Sequence, residues 1–242
     1  MDRYQQLASA FVALADTLTA DYEASEFTQQ LVDYALTLLP VQAAGIVLGD
    51  AAGELHVVAA SSEEARLLEL LQLHADAGPC LCVYRTGEPV FVDDLTEQPE
   101  RWPAFAMRAV EHGFQAVSAL PLRLRDERIG TLNLFRTAPG PMSPSDAGIA
   151  QALADIAAIG MLHQRLITHS TELAQQLQTA LDTRLVIEQA KGMLAERGGI
   201  GLNEAFALLR AHARSTRRRL AELAHGVVND AEADRVLESR HR

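Results

Sequence analysis

The sequence predicts an α+β domain on an antiparallel sheet with flanking helices, then one long helix, then an all-α bundle of three helices. Three observations carry that prediction. Short apolar runs in pairs flank Asp50-Ala-Ala-Gly53 and Arg125-Asp-Glu-Arg128, the pattern of antiparallel hairpins. No proline follows Pro144, and up to position 197 glycine occurs only at 148, 160 and 192, so nothing stops a helix there. Beyond it, Gly198-Gly-Ile-Gly201 sets off two shorter amphipathic stretches.

Taken in order, Leu7, Phe11, Leu14 and Leu18 fall at helical spacing, and so do Phe27, Leu31, Tyr34, Ala35 and Leu38, with Pro40 ending the run. Two helices therefore open the chain. Strands are expected at 43–48 and 54–60, a helix at 62–73, and short irregular pieces between Gly78-Pro79-Cys80 and Thr86-Gly87-Glu88-Pro89. A strand Val90–Val92 and a helix at 103–112 closed by Gly113 come next. The second hairpin pairs 116–124 with 129–136. Ser143 is a natural N-cap, with Pro144 at the first helical position.

A helix from about 144 to 197 would reach on the order of 75 Å, and in isolation its middle would not be stable. A seven-residue repeat suggests the missing support. Ile159, Leu166, Leu173, Ala180 and Ile187 occupy d, while Ile156, His163, Ser170, Leu177 and Arg184 occupy a, the layout of a parallel dimeric coiled coil. Asn203 is the expected cap of the next helix, with Glu204 in its first turn and Ala205, Phe206, Leu208, Leu209 and Ala213 inward. A third helix starts at Ser215 or Thr216 and turns Leu220, Leu223, Ala224, Val227 and Val228 inward. Residues 230–242 alternate in charge and read as a solvated tail.

The 242 residues exceed what one small core needs, and 48% hydrophobic content supports more than one. The formal net charge of -11 is unevenly spread. Residues 171–242 hold 11 cations and 10 anions, whereas the first 170 hold 10 and 22. Phosphate would be repelled by the first part, so any nucleic-acid contact belongs to the second. Two cysteines, Cys80 and Cys82, make no disulfide framework and fit a reducing compartment. No leader pattern opens the chain, and no segment approaches the roughly 20 apolar residues of a span; a cytoplasmic protein without a membrane partner is expected.

Positive charge concentrates between Arg184 and Arg219, where eight cations face three anions. Lys191 is the chain's only lysine, a compact, strongly hydrated charge on a flexible stem where arginine would present a flat fork. Arg184 and Lys191 are seven residues apart and project from one helix face, with Glu188 between them to pair with either. Arg217, Arg218 and Arg219 meet the positive end of the third helix's dipole, each at about 0.3–1 kcal/mol, with no acid between Glu204 and Glu222 to offset them. A polyanion arriving there explains the arrangement better than a solvated charged face. Phe206 reads as core, leaving almost no aromatic ring for base stacking. Arginine planes suit splayed bases of an RNA loop, while two successive short helices suit a helix-turn-helix on DNA; composition leaves both open.

Arg184…Ile187-Glu-Gln-Ala-Lys-Gly-Met-Leu194, Glu204-Ala-Phe-x-Leu-Leu-Arg210, Ala213-Arg214 and Leu220…Ala224…Val227-Val228 make residues 180–228 resemble an ANTAR domain, the RNA-binding module of bacterial antitermination regulators. That resemblance implies a three-helix bundle that binds paired stem-loops in nascent transcripts and keeps an overlapping terminator hairpin from forming. It implies RNA contacts at Arg184, Gln189, Lys191 and Gly192 on the first helix, and at Arg210, Arg214, Ser215, Arg217 and Arg218 on the second and third. Gly192 has a physical reading as well, since without a Cβ an RNA backbone approaches closely.

Gly78-Pro-Cys80, Tyr84-Arg-Thr-Gly-Glu-Pro-Val90…Val92-Asp-Asp-Leu95 and Leu120-Pro-Leu-Arg123…Ile129-Gly-Thr-Leu-Asn-Leu134 make residues 1–165 resemble a GAF sensory domain, which implies a small-molecule ligand. The Asn-Lys…Phe…Asp-Glu motif of cyclic-nucleotide binders is missing, so the ligand and its pocket stay unknown. The expected organisation is a sensor at 1–165, a linking helix at 144–183 that overlaps its last helix, an RNA-binding domain at 180–228 and a tail at 229–242. The whole is a non-enzymatic regulator, homodimeric through the long helix. A DNA-binding dimeric regulator is the alternative, and a GAF-type methionine sulfoxide reductase a more distant one.

Other constellations argue for little. Cys80-x-Cys82 with His74 is a poor tetrahedral metal site, and packing suits those small side chains better. His112 beside a loop is a candidate haem ligand, but no haem is expected. Lys191-Gly192 lies mid-helix and is no phosphate loop. No cofactor or metal is called for.

Overall fold

A computed structural model describes residues 3–17, 24–50, 52–97, 100–125 and 127–238, the side chains of Tyr4 and His169 excepted. The chain divides into two compact units, Met1–Leu166 and Ile167–Arg242.

The first unit is a five-stranded antiparallel sheet between two layers of helices. Its strands are β1 (Ala43–Gly49), β2 (Leu55–Ala60), β3 (Val90–Val92), β4 (Ala116–Leu124) and β5 (Glu127–Arg136), in the order β2-β1-β5-β4-β3. Strand alternation divides the core in two. One face of the sheet turns Ala44 and Ile46, Leu120 and Leu122, and Leu132 and Leu134 toward α1 (Arg3–Thr17), α2 (Ala24–Leu38) and the start of α6 (Pro144–Gly198). The other face turns Ala43, Val117, Ala119 and Phe135 toward α3 (Glu63–Ala75), α4 (Pro79–Thr86) and α5 (Pro103–Glu111). Burying each large side chain contributes about 1.5–3 kcal/mol.

Both hairpins form where the turn signals stand. Asp50 Oδ1 accepts from Ala52 N at 2.8 Å and Glu54 N at 2.9 Å, and Gly53 takes a left-handed φ of 86°. Gly113 likewise follows α5 at φ 84°, with Phe114 N bonded to Ala109 O at 2.9 Å, a Schellman ending. Ser143 caps α6: its Oγ accepts from Asp146 N at 3.1 Å and donates to Asp146 Oδ2 at 2.6 Å. Leu18 of the first expected helix lies outside the described residues.

The segment after Gly78 is the helix α4 and not an irregular piece. Pro79 at its first position fixes φ for helix entry, and Gly87 ends it at φ 75°.

Helix α6 includes an 18-residue window with mean hydropathy 1.2, enough by length and composition to cross a membrane, and 44% of that window is buried. The sequence had suggested no such segment. Ala150, Leu153, Ala154, Ala157, Ala158 and Met161 of α6 belong to the first unit's core, so this apolar run serves as a core helix.

The second unit gathers the end of α6, α7 (Leu202–Ser215), α8 (Leu220–Val228) and α9 (Ala233–Glu238). Val186, Ala190 and Leu194 meet Ala205, Leu209 and Ala213, and Leu223, Ala224 and Val227. Two boundaries differ from expectation. Gly201, and not Asn203, is the N-cap of α7. Helix α8 starts at Leu220, so Thr216 to Arg219 form the connection between helices. The expected solvated tail is a further correction: Ala233 and Val236 of α9 are buried in the same core, and 239–242 lie outside the described residues.

Along the middle of α6, Leu173, Leu177, Leu181 and Leu185 are all at least half exposed. At spacings of four they form a ridge that drifts by about 40° per step. The heptad d row does not stay free over its length, because Ile187 packs against the second unit's core.

Candidate nucleic-acid interface

The nine residues implicated in RNA contact fall on two helices and the turn after them. Arg184, Gln189, Lys191 and Gly192 lie on α6, Arg210, Arg214 and Ser215 on α7, and Arg217 and Arg218 in the α7–α8 connection. They do not form one tight cluster. On α6, Gln189 and Lys191 are about 160° apart around the axis, at opposite borders of the exposed face, with Arg184 and Gly192 between them. A Cβ added at Gly192 would meet nothing within 4 Å, so a partner can come up to the backbone there.

The ring of Phe206 joins the two helices. Lys191 Nζ lies 5.3 Å from its centroid and Arg210 Cζ 5.6 Å, both within cation–π range. Lys191 also pairs with Glu188 at 2.8 Å, and its side chain is only 17% exposed; of the two partners open to Glu188, the lysine is the one taken. Sequence reasoning placed Phe206 in the core. It is in fact partly exposed and stands outside the buried cluster of this unit. The signal was legible: on α7 the inward row is Ala205, Leu209, Ala213, and Phe206 shares its spacing of four with Arg210 and Arg214 instead. That second row is an aromatic–cation–cation ridge along one side of the helix.

Arg217 follows the ridge in the chain, in a strained backbone. Arg218 N bonds to Ala213 O at 3.0 Å and Arg217 N to Arg214 O at 3.2 Å, with Arg217 at φ 54°. Position C′ of such an ending usually holds glycine; an L side chain there costs about 1–2 kcal/mol. The three arginines therefore stand at the N-cap of α8 and directly before it, and this strain at Arg217 adds to the dipole repulsion expected from the sequence.

Arg218 departs from the free cation that the sequence suggested. Its Nη1 bonds to Glu232 Oε1 at 2.9 Å, and Arg235 approaches the same carboxylate at 3.6 Å. The bond from Arg218 holds the Glu232 carboxyl below the usual range. Arg197 is likewise paired with Asp230. Arg184, Arg214, Arg217 and Arg219 have no carboxylate partner among the described residues. Ser215 is turned about 100° from Arg214 around α7; its hydroxyl donates to His212 O at 2.9 Å, so toward a ligand it offers an acceptor.

The first unit holds a buried polar cluster on the sheet face covered by α3 and α4. Glu69 is fully buried, and its Oε2 accepts from Gln72 Nε2 at 3.1 Å, while Oε1 has no hydrogen-bond partner. Gln72 Oε1 in turn accepts from Cys80 N at 2.9 Å. Gly45 permits this, because a Cβ there would stand 2.7 Å from Glu69 Oε1. Burial, offset only in part by the Asn133 side chain, pushes the Glu69 carboxyl up to about 8. Burial and the neighbouring Glu69 push the Cys80 thiol far above the usual range, the reverse of what a reactive thiolate needs. Sequence reasoning passed over Glu69, since one carboxylate among several on an amphipathic helix reads as solvated. Among the described residues no group of three or more His, Cys, Asp or Glu is arranged to hold a metal ion.

Comparison with known proteins agrees with this division. Residues 22–161 match the GAF domain family, and residues 175–228 the ANTAR domain family. No curated protein matches the chain. Among solved structures, the GAF domain of a phosphoenolpyruvate-protein phosphotransferase from Coxiella burnetii is 16% identical, with 68% of this chain and 98% of that one covered at a TM-score of 0.53. A free methionine-R-sulfoxide reductase from Neisseria meningitidis is 15% identical over 68% and 91%, also at 0.53. A GAF domain/HD domain protein from Geobacter sulfurreducens is 19% identical over 60% and 95%, at 0.50. At these identities the likeness is one of fold. The chain belongs to the GAF domain family and, with its C-terminal ANTAR domain, is a GAF–ANTAR domain protein of regulatory architecture.

Proposed function

We propose that this protein is a signal-responsive, cytoplasmic RNA-binding regulator that grips paired stem-loops in nascent mRNA and so prevents transcription termination. The observation that carries the reading is the ridge of Phe206, Arg210 and Arg214 beside Lys191, followed in the chain by Arg217; its arginines have no carboxylate partner among the described residues in a chain of net charge -11. Cations left unpaired in an acidic protein are the footprint of a polyanion. Residues Arg184, Gln189, Lys191, Gly192, Arg210, Arg214, Ser215, Arg217 and Arg218 make the contacts, and Arg218 exchanges Glu232 for phosphate.

Two copies supply two such faces for two hairpins. The leucine ridge of α6 is their meeting surface, since an isolated helix leaves that apolar side in water and is marginal on its own. A small molecule in the GAF domain acts by binding two arrangements of the dimer with different affinity.

A gel shift with a two-hairpin RNA, a single hairpin and duplex DNA tests the reading. The two-hairpin RNA is expected to bind tightest, and Lys191→Ala and Arg214→Ala each to weaken it and flatten the salt dependence by roughly one phosphate contact. Duplex DNA binding tightest would favour a DNA-binding regulator, and unchanged affinity in both variants would remove the site assignment.

A further inference from the structure

Phe206 is the only aromatic residue between 167 and 242. A bundle short of large side chains would be expected to spend that ring on its core, because aromatic burial is the largest single apolar gain available. Instead the inward row of α7 is Ala205, Leu209 and Ala213, and Phe206 is partly exposed outside the buried cluster. Two cations from two different helices converge on it, at 5.3 and 5.6 Å from the centroid. Glu188 tethers the nearer cation in the free protein. Next to Lys191, Gly192 leaves open space at the helix surface.

An aromatic face bordered by cations is the surface that takes an unstacked base while its phosphates are gripped alongside. We propose that Phe206 is the stacking platform for one splayed base of the hairpin loop, with Lys191 and Arg210 holding the phosphates beside that nucleotide. The proposal rests on the RNA reading above and adds the subsite that recognises a loop, which a bare cationic ridge does not. A continuous duplex keeps its bases stacked and offers nothing to this ring. Lys191, freed from Glu188 by the incoming phosphate, moves off the ring as the base arrives.

The test uses the full chain and the two-hairpin RNA carrying 2-aminopurine at each loop position in turn. Wild-type protein is expected to change the fluorescence at one loop position. Phe206→Leu should abolish that change and lower affinity roughly 5- to 150-fold, and Phe206→Tyr should retain both. The salt dependence should stay the same in all three, because the same phosphates are neutralised. Wild-type affinity in Phe206→Leu overturns the platform, and so does a loss accompanied by a flatter salt dependence, which makes the ring a prop for its cations. A Phe206→Leu chain that no longer melts cooperatively overturns it as well by making the ring structural. Failure of the RNA reading is separate: there the wild-type chain itself shows no preference for hairpin RNA.

Discussion

Arg217 places a charged side chain on a backbone that costs stability. Its left-handed φ of 54° suits glycine, yet the sequence keeps a cation there, next to Arg218 and Arg219. Arg217→Gly should raise the melting temperature of the second unit, a gain of about 1 kcal/mol. It should also weaken hairpin binding, with a salt slope shallower by roughly one; calorimetry and filter binding read the two effects separately. Glu69 makes the parallel case in the sensor. Its carboxyl titrates at about 8 when folded and in the ordinary glutamate range when unfolded. The folded state therefore holds the extra proton, and stability is fullest below the ordinary range. It falls as pH rises toward about 8 and levels off above. Glu69→Gln, which cannot ionise, should show a flatter melting profile between pH 5 and pH 8 and a higher melting temperature at pH 8, with each kcal/mol gained worth roughly 2–4 °C. A wild-type profile no steeper than that of the variant would contradict this.

Among the elements, α9 does most to alter the basic surface that the sequence suggests. It lies beyond the residues matched to the ANTAR family, 175–228, yet it completes the core with Ala233 and Val236. The turn before it brings Glu232 onto Arg218, with the Glu232 side chain resting where a Cβ on Gly226 would fall. The segment thus supplies an internal carboxylate to one cation of the basic surface. Glu232→Gln keeps the shape and removes the charge. It should tighten hairpin binding a few-fold at low salt, since a surface ion pair is a weak and salt-screened competitor. Weaker binding would instead mean that Glu232 orients Arg218 for the RNA. Neither α4 nor α9 was legible beforehand, because six to eight residues give a 3.6-residue period too few turns to show itself.

For the molecule as a whole, a strongly acidic first part and a nearly neutral second part share one chain. The first 170 residues carry 22 acids against 10 cations, so a polyanion would be repelled there and meet less repulsion at the second unit. Pairing of two chains should then govern avidity more than any one contact. Leu177→Glu, placed in the exposed ridge, should shift the protein from dimer to monomer in sedimentation. It should also erase the preference for two hairpins over one while leaving single-hairpin affinity intact. A dimer that persists in this variant would move the interface elsewhere.

The linear chain by itself determined the antiparallel hairpins, the unbroken helix after Pro144, and the location of the basic region. Each is a local matter: a turn fixes a hairpin, and the lack of a breaker propagates a helix. The three-dimensional arrangement alone decided that Phe206 stands outside the core, that Arg218 meets Glu232 from fourteen residues away, and that Glu69 loses its water beneath α4. Those outcomes depend on which helix covers which, and desolvation and pairing across elements arise only once the layers have packed.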